Sequence, residues 1–237
     1  MSSLGVVVFS LHGMKHLSEC LESVQWADAV KVWQLDEVND LDPIRDAGRV
    51  AQELKTEWLL HLWGEERVTA KLREELTVLC RTGPETTPSS YRIPVRSLIL
   101  GRWVRGSLWG SFPSRRLWRK TARLPDSWWN RETRSNDLPW GSLNQWIEDL
   151  SCADLRDGVH HVNQISSLWA QQLELEGRNL STLAISLNPF CVSMRLLLVH
   201  GLLFSGLPGL TLSGLASYAT LVSGMKWWES CGSKSKP

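Results

Sequence analysis

Two adjacent carboxylates, Glu65 and Glu66, follow, after two intervening residues, an apolar stretch at residues 58–62 that is interrupted only by His61. A stretch of this length and composition predicts a buried β-strand. A strand that ends in acidic side chains is a common way for an α/β protein to hold a metal ion or a phosphate-bearing substrate. The alternative is that the two acids begin the following helix, where negative charge is stabilised by the helix dipole.

A basic segment is the second stretch that could do chemistry. Between residues 91 and 124 there is no Asp or Glu, but there are nine Arg or Lys residues. Like charges repel one another unless they meet an anion or spread into solvent. Arginines in such a segment can bind a diphosphate, an anionic acceptor or lipid headgroups. The nine are Arg92, Arg96, Arg102, Arg105, Arg115, Arg116, Arg119, Lys120 and Arg123.

The periodicity of apolar residues predicts which elements position these side chains. In the first third of the chain, stretches of strand length alternate with stretches of helical periodicity. This alternation implies a parallel sheet with helices on both faces, and hence an α/β fold. The predicted strands are residues 4–10, 29–35 and 58–62; the predicted helices begin near residues 17, 44 and 68 and end near residues 24, 55 and 80.

The middle of the chain has weaker patterns. Residues 82–90 have the composition of a loop, residues 91–100 that of an extended segment, and residues 115–120 that of a short strand. Residues 141–150 and 155–176 carry apolar positions at helical spacing, and we predict a helix for each.

The C-terminal region is distinguished by its lack of charge. Residues 183–228 contain only Arg195 and Lys226 as charged residues, and Gly residues and Pro208 divide the apolar sequence into pieces shorter than the roughly 20 residues of a spanning helix. The segment can lie in a membrane interface, dip in and return, or span once with a kink. A buried helical hairpin in a water-soluble domain is the other alternative. The Lys-Trp-Trp sequence at 226–228 is typical of an interfacial anchor.

Composition limits the remaining possibilities. A chain of 237 residues is long enough for one good-sized core with an appendage. The five cysteines have no metal-ligand spacing, which favours reduced thiols in a cytosolic compartment. The first apolar stretch lacks the basic leader and cleavage site of a signal peptide, so we interpret it as a strand.

Five segments, in this order, resemble one known family. The chain is similar to the bacterial family-2 glycosyltransferases of the lipopolysaccharide-core glucosyltransferase type, and the matching residues run nearly from end to end. They are CLESVQWADAVKV (20–32), EWLLHLWGEERVTAKLREEL (57–76), YRIPVRSLILGRWVR (91–105), RRLWRK (115–120) and SGLPGLTLSGLASYATLVSGMKWWE (205–229).

The resemblance implies a domain organisation and an activity. Residues 1–135 would form a truncated nucleotide-diphospho-sugar transferase domain with a GT-A-like fold, residues 136–182 a helical segment, and residues 183–237 an apolar membrane-associated region. The protein would be a transferase in cell-envelope biogenesis that moves a sugar from a nucleotide-sugar donor to a lipid or polysaccharide acceptor. It would work at the cytoplasmic face of the inner membrane as a peripheral or monotopic protein, with no nucleic-acid partner.

The family's acidic motif, Asp-x-Asp-Glu, aligns with residues 63–66, where this chain has Trp63 in place of the first Asp. The resemblance implies that Glu65 and Glu66 hold a divalent cation, Mg²⁺ or Mn²⁺. Such a cation would stabilise the charge that develops on the diphosphate leaving group. Trp63 cannot bind a metal, but its ring can stack on the nucleobase or sugar. Because this acid is lost, a catalytically degenerate, membrane-bound partner or scaffold is the alternative function.

Other site residues follow from the same alignment. Asp36 and Asp40 are candidates for contacts with the nucleoside, or else turn residues. Arg92, Arg102 and Arg105 are the arginines expected at the donor phosphates. Glu132 lies about where the family has a His-Glu pair that could include the catalytic base, which an inverting transfer needs near the acceptor hydroxyl.

Overall fold

The computed structural model describes residues 3–35, 53–81, 88–107, 115–120 and 140–234. The chain divides into two compact units, each made of two segments. The first unit comprises Met1–Arg96 and Phe112–Leu150, and the second comprises Ser97–Ser111 and Ser151–Pro237. Most of the helix predicted at residues 44–55 lies outside the described residues.

Ten strands and five α-helices occur in the described residues. The strands are β1 (Leu4–Leu11), β2 (Ala29–Leu35), β3 (Trp58–Trp63), β4 (Glu66–Val68), β5 (Ser90–Arg92), β6 (Val95–Ile99), β7 (Arg102–Arg105), β8 (Arg115–Arg119), β9 (Trp140–Ser142) and β10 (Ile147–Asp149). The helices are α1 (Leu17–Val24), α2 (Ala70–Arg81), α3 (Leu155–Leu175), α4 (Thr182–Met194) and α5 (Leu207–Lys234).

A six-stranded sheet forms the centre of the first unit, in the order β2-β1-β3-β8-β5-β9. Strands β2, β1 and β3 are parallel, as the sequence predicted, and β1 and β3 are buried along their whole length. Strand β8 then pairs antiparallel to both β3 and β5, and β9 pairs parallel to β5. The parallel arrangement predicted for the first three strands is therefore confirmed, and the strands that follow make the whole sheet mixed.

Helices α1 and α2 contribute to the core of the first unit. Cys20 and Val24 are the buried residues of α1, and Leu72, Leu76 and Cys80 those of α2. The spacing of four residues places each set on one helix face, which explains why the periodicity predicted both helices.

The helix predicted at residues 141–150 is wrong, because this segment forms β9 and β10. Ile147 pairs with Val68 of β4, and the turn between the two strands is held by the Glu75 carboxylate, which accepts the backbone N–H of Asn144 (2.9 Å) and of Gln145 (2.9 Å). Pairing partners far away in the sequence override a local helical pattern.

The second unit combines a β-hairpin with helices. Strands β6 and β7 pair antiparallel across a tight turn at Leu100 and Gly101, which both have positive φ (49° and 74°). Two positive φ angles are typical of the turns that match the twist of a two-stranded hairpin. The long helix predicted at residues 155–176 is confirmed as α3.

Helices α4 and α5 of the second unit form an antiparallel helical hairpin. A π-helical segment (Arg195–Val199) and a 3₁₀ helix (Leu202–Ser205) connect them. The Ser217 hydroxyl donates to the Pro189 carbonyl (2.8 Å), so the two helices approach each other closely.

One described helix is long and apolar enough to cross a membrane by length and composition. It comprises α4 and the π-helical segment that continues it, Thr182–Val199, 18 residues of which 22% are buried.

Candidate functional site

The acidic turn that follows β3 is packed against the loop that follows β1. The Gly64 N–H donates to the Phe9 carbonyl (2.8 Å). A Cβ atom on Gly64 would lie 2.8 Å from the Met14 sulfur and 3.2 Å from the Leu17 side chain. The carboxyl ends of β1 and β3 therefore meet with little space between them, and a side chain at position 64 would require the Met14 side chain to move.

Glu66 forms a buried, bidentate ion pair with Arg116. The two guanidinium nitrogens Nη2 and Nη1 of Arg116, on β8, donate to Oε1 (2.8 Å) and Oε2 (3.2 Å) of Glu66, and both residues are almost completely buried. The Trp63 N–H donates to Glu66 Oε2 as well (2.9 Å). The Glu66–Arg116 ion pair thus fixes β8 against the end of β3.

Burial has the largest effect on the pKa of the Glu66 carboxyl group, because it removes the charged form from water. It raises the pKa of Glu66 to about 7, against the opposing effect of the Arg116 guanidinium; the nearby Asp149 carboxylate raises it further. The same acids act on a neighbouring thiol: burial, Glu66 and Glu65 all raise the pKa of Cys20.

Glu65 has a different role from Glu66. Its carboxylate accepts the backbone N–H of Lys15 (Oε1, 2.8 Å) and of His16 (Oε2, 3.2 Å), in the loop before α1. The residue is only 1% exposed. Glu65 therefore accepts hydrogen bonds from two backbone donors, and its charge is held by the loop.

The helix-dipole interpretation of the two acids is wrong. Helix α2 begins at Ala70, its first turn contains no acidic residue, and the short strand β4 separates it from the acids. Strand β4 forms because Glu66, Arg67 and Val68 pair with β10.

Trp63 is buried at the end of β3. Its ring lies 5.7 Å from the Phe9 ring, measured between centroids, at an angle of 48°. The two residues are register partners on the neighbouring strands β1 and β3, so their rings pack side by side on the sheet.

A second charge cluster involves Glu148, which the sequence did not single out. Its carboxylate accepts Arg67 Nε (2.6 Å) and Arg96 Nη2 (2.5 Å). Burial alone would raise the pKa of Glu148, but its hydrogen bonds with Arg96 and Arg67 and their positive charge lower it below its ordinary value. The sequence predicted a helix at residues 141–150, and no pattern in it connected Glu148 with arginines more than 50 residues away.

The basic segment is divided between the two units. Arg92 lies over the Trp140 ring (3.9 Å to the centroid), and Arg119 pairs with Glu57 (3.6 Å). Together with Arg96 and Arg116, these residues have partners within the first unit. Arg102 and Arg105 lie on β7 in the second unit, where both are exposed. The binding of an anion by this segment stays a prediction.

The remaining predicted residues are less informative. Asp36, Asp40 and Glu132 lie outside the described residues. Within the described residues, no group of three or more His, Cys, Asp or Glu side chains could hold a metal ion. The cation at Glu65 and Glu66 stays a prediction that this arrangement does not favour, because Arg116 and backbone N–H groups already occupy their oxygens.

The described residues define an α/β protein with a mixed sheet and an internally bonded acidic turn. No protein-family model matches the chain. No curated protein matches it either. Among solved structures, the crystal structure of S. aureus TarS 1-349 is similar at 11% identity over 94% of this chain and 91% of that chain, with a TM-score of 0.43. A second S. aureus TarS structure is similar at 12% identity over 95% of this chain and 54% of that chain, with a TM-score of 0.41. Scores below 0.5 do not establish a shared fold, so neither family nor activity is inferred from them.

Proposed function

We propose that this chain is a catalytically degenerate, glycosyltransferase-like protein that acts as a membrane-bound partner or scaffold of an envelope enzyme. The observation that carries the proposal is the burial of Glu65. A carboxylate that binds a metal-diphosphate must face the donor. Glu65 instead accepts two N–H groups of the loop before α1.

The neighbouring positions support the same proposal. The first acid of the family's motif is replaced by Trp63, which packs on Phe9. The last acid of the motif, Glu66, is bound to Arg116 inside the protein. All three positions of the motif thus have contacts that stabilise the fold.

Sugar transfer itself is the second candidate function. The ordered resemblance to lipopolysaccharide-core glucosyltransferases supports it, as does the presence of an acid, Glu65, at the motif's second position. In this case the protein would take a nucleotide-sugar donor and a lipid or glycan acceptor at the cytoplasmic face of the inner membrane. Opening of the loop before α1 would have to release Glu65 for a cation.

Calorimetric titration distinguishes the two candidates. Wild type, Glu65→Gln and Trp63→Asp are titrated with nucleotide sugars and nucleoside diphosphates, with and without Mn²⁺ or Mg²⁺. Glu74→Gln, which changes an exposed acid on α2, is the matched control.

If the protein is degenerate, the wild type and the three variants all have negligible affinity for nucleotide sugars and nucleoside diphosphates, with or without the metal. A transferase gives metal-dependent affinity that Glu65→Gln abolishes and Glu74→Gln leaves unchanged. Trp63→Asp rebuilds the family's motif, so it raises the affinity only where a donor site survives. Metal-dependent binding by the wild type would overturn the degenerate assignment.

A further inference from the structure

We propose that the end of the α4–α5 hairpin inserts into one leaflet of an anionic bilayer, with Arg102 and Arg105 binding the lipid phosphates beside it. We call residues 198–210 the hairpin tip. This inference rests on the membrane-bound part of the proposed function and gives it a mode of attachment and a lipid class. It does not depend on whether the first unit binds nucleotides.

The hairpin tip presents large apolar side chains to solvent. It contains no Asp, Glu, Lys or Arg. Phe204, at 92% exposure, is the most exposed of its large apolar residues. An apolar cluster of this kind is unusual on a surface that faces only water and marks a binding surface. The six large apolar residues that are each more than half exposed are Leu198, Val199, Leu203, Phe204, Leu207 and Leu210.

Several hydroxyl groups of the hairpin are bonded within it, which suits a lipid environment. The Ser193 and Ser213 hydroxyls lie 3.0 Å apart across the two helices. The exposed Thr211 hydroxyl donates to the Leu207 carbonyl (2.9 Å), so it needs no water. Gly224 lies so near Ile185 that a Cβ atom there would approach it to 3.0 Å. Small residues that let helices approach closely are typical of helix pairs in membranes.

The positive charge beside the hairpin tip indicates that the lipid is anionic. Strand β7 contacts the 3₁₀ helix of the hairpin tip, and Arg102 and Arg105 are exposed on that strand with Trp103 between them. The second unit has no Asp or Glu in residues 97–111 or 177–228. Exposed arginines beside an apolar surface attract anionic headgroups, and Trp favours the same interfacial depth.

The packing of α5 limits insertion to one leaflet. The stretch Thr182–Val199 has 18 residues, which gives a length of about 27 Å, somewhat less than the roughly 30 Å of a bilayer core. Beyond the hairpin tip, Leu212, Ala216 and Ala219 of α5 are buried inside the second unit. On the α5 side the tip is therefore the part that is available to enter the membrane, and the chain enters and returns. On the α4 side, Leu187 and Phe190 are also more than half exposed and extend the apolar surface from the tip.

Vesicle flotation with the full chain tests the proposal. Vesicles of phosphatidylcholine alone are compared with vesicles of equimolar phosphatidylcholine and phosphatidylglycerol. Phe204→Asp should weaken binding at least about tenfold, since a Phe side chain gains that much on leaving water. Val78→Asp is the matched control, because Val78 is an exposed apolar residue on α2 of the first unit.

Arg102→Gln combined with Arg105→Gln should weaken binding to the anionic vesicles about tenfold to thirtyfold, with little change on neutral vesicles. Lys71→Gln, at an exposed position on α2, is the control for loss of charge. Inorganic phosphate should not compete, because the surface binds a headgroup only together with the apolar tip.

Three results would overturn the proposal. One is a full chain that is monodisperse without detergent and binds neither vesicle. Another is equal binding of Phe204→Asp and Val78→Asp. The third is equal binding of wild type to neutral and anionic vesicles. Circular dichroism confirms that each variant is folded. The nucleotide titrations are done without vesicles, so a failure here leaves their outcome unaffected.

Discussion

The buried Glu66–Arg116 pair allows a sharp test of how the first unit is held together. Arg116→Met removes the guanidinium but keeps a long side chain in the core. The Glu66 carboxylate then stays fully buried, and of the hydrogen bonds described above it keeps only the one from the Trp63 N–H (2.9 Å). Breaking a buried pair by removing one partner costs about 3–5 kcal/mol. We expect a loss of this size in the free energy of unfolding at pH 8.

The loss should shrink as the pH falls. Burial raises the pKa of Glu66 to about 7 even with Arg116 present, and removal of the guanidinium raises it further. For an acid with a raised folded-state pKa, the folded protein binds more protons than the unfolded chain between the two pKa values. Stability therefore falls as the pH rises through this window. Arg116→Met should be closest to wild type near pH 5, where its Glu66 is protonated.

Urea denaturation followed by Trp fluorescence measures the effect, and hydrogen exchange of β3 peptides assigns it to the first unit. Glu66→Gln combined with Arg116→Met should recover most of the loss, since the amide carries no charge and its oxygen still accepts from Trp63. Arg178→Met, which breaks an exposed pair with Glu176, should cost less than about 1 kcal/mol. A loss in Arg116→Met no larger than in Arg178→Met, or one independent of pH, would refute the reasoning.

Three further substitutions have expected effects on the same free energy of unfolding. Gly141→Ala would bring a Cβ atom into the Tyr91 ring beside β9, and such overpacking should destabilise by about 1–3 kcal/mol. Thr69→Ala removes the hydroxyl that accepts the Leu72 N–H (3.1 Å) at the start of α2, and should cost about 1 kcal/mol. Gly214→Ala, inside α5 with open space around its Cβ position, should stabilise by up to about 1 kcal/mol. Each argument would be contradicted by the opposite result: a gain in stability for Gly141→Ala, no change for Thr69→Ala, or a loss for Gly214→Ala.

Elements with strong local patterns were predictable from the sequence. Strands β1 and β3 are buried on both faces and appear as continuous apolar stretches, and α3 has a helical pattern over its whole length. Strands β9 and β10 were not predictable, because their hydrogen-bond partners are Arg92, Glu75 and Val68, far away in the sequence. Only a folded chain brings those partners together.

The position of the acidic site was predictable, but the bonding of its residues was not. A stretch that ends in Glu65 and Glu66 locates the carboxyl end of a buried strand, and the structure has these residues there. Which oxygen meets which donor depends on the loop before α1 and on β8, which arrive from residues 15–16 and 116. Arg116 was one of nine basic residues in its segment, and its place in a predicted strand favoured a structural role at least as much as a binding role, but nothing in the sequence identified Glu66 as its partner.

On the proposal of a degenerate transferase, the two acids are a former binding motif that the fold has kept. Once Trp63 fills the space beside Phe9, a cation at this turn would have one carboxylate fewer to hold it. Buried carboxylates without a cation need other donors. Arg116 supplies them for Glu66, and the Lys15 and His16 amides supply them for Glu65. Selection on stability alone would then retain both acids, so their presence is weak support for catalysis.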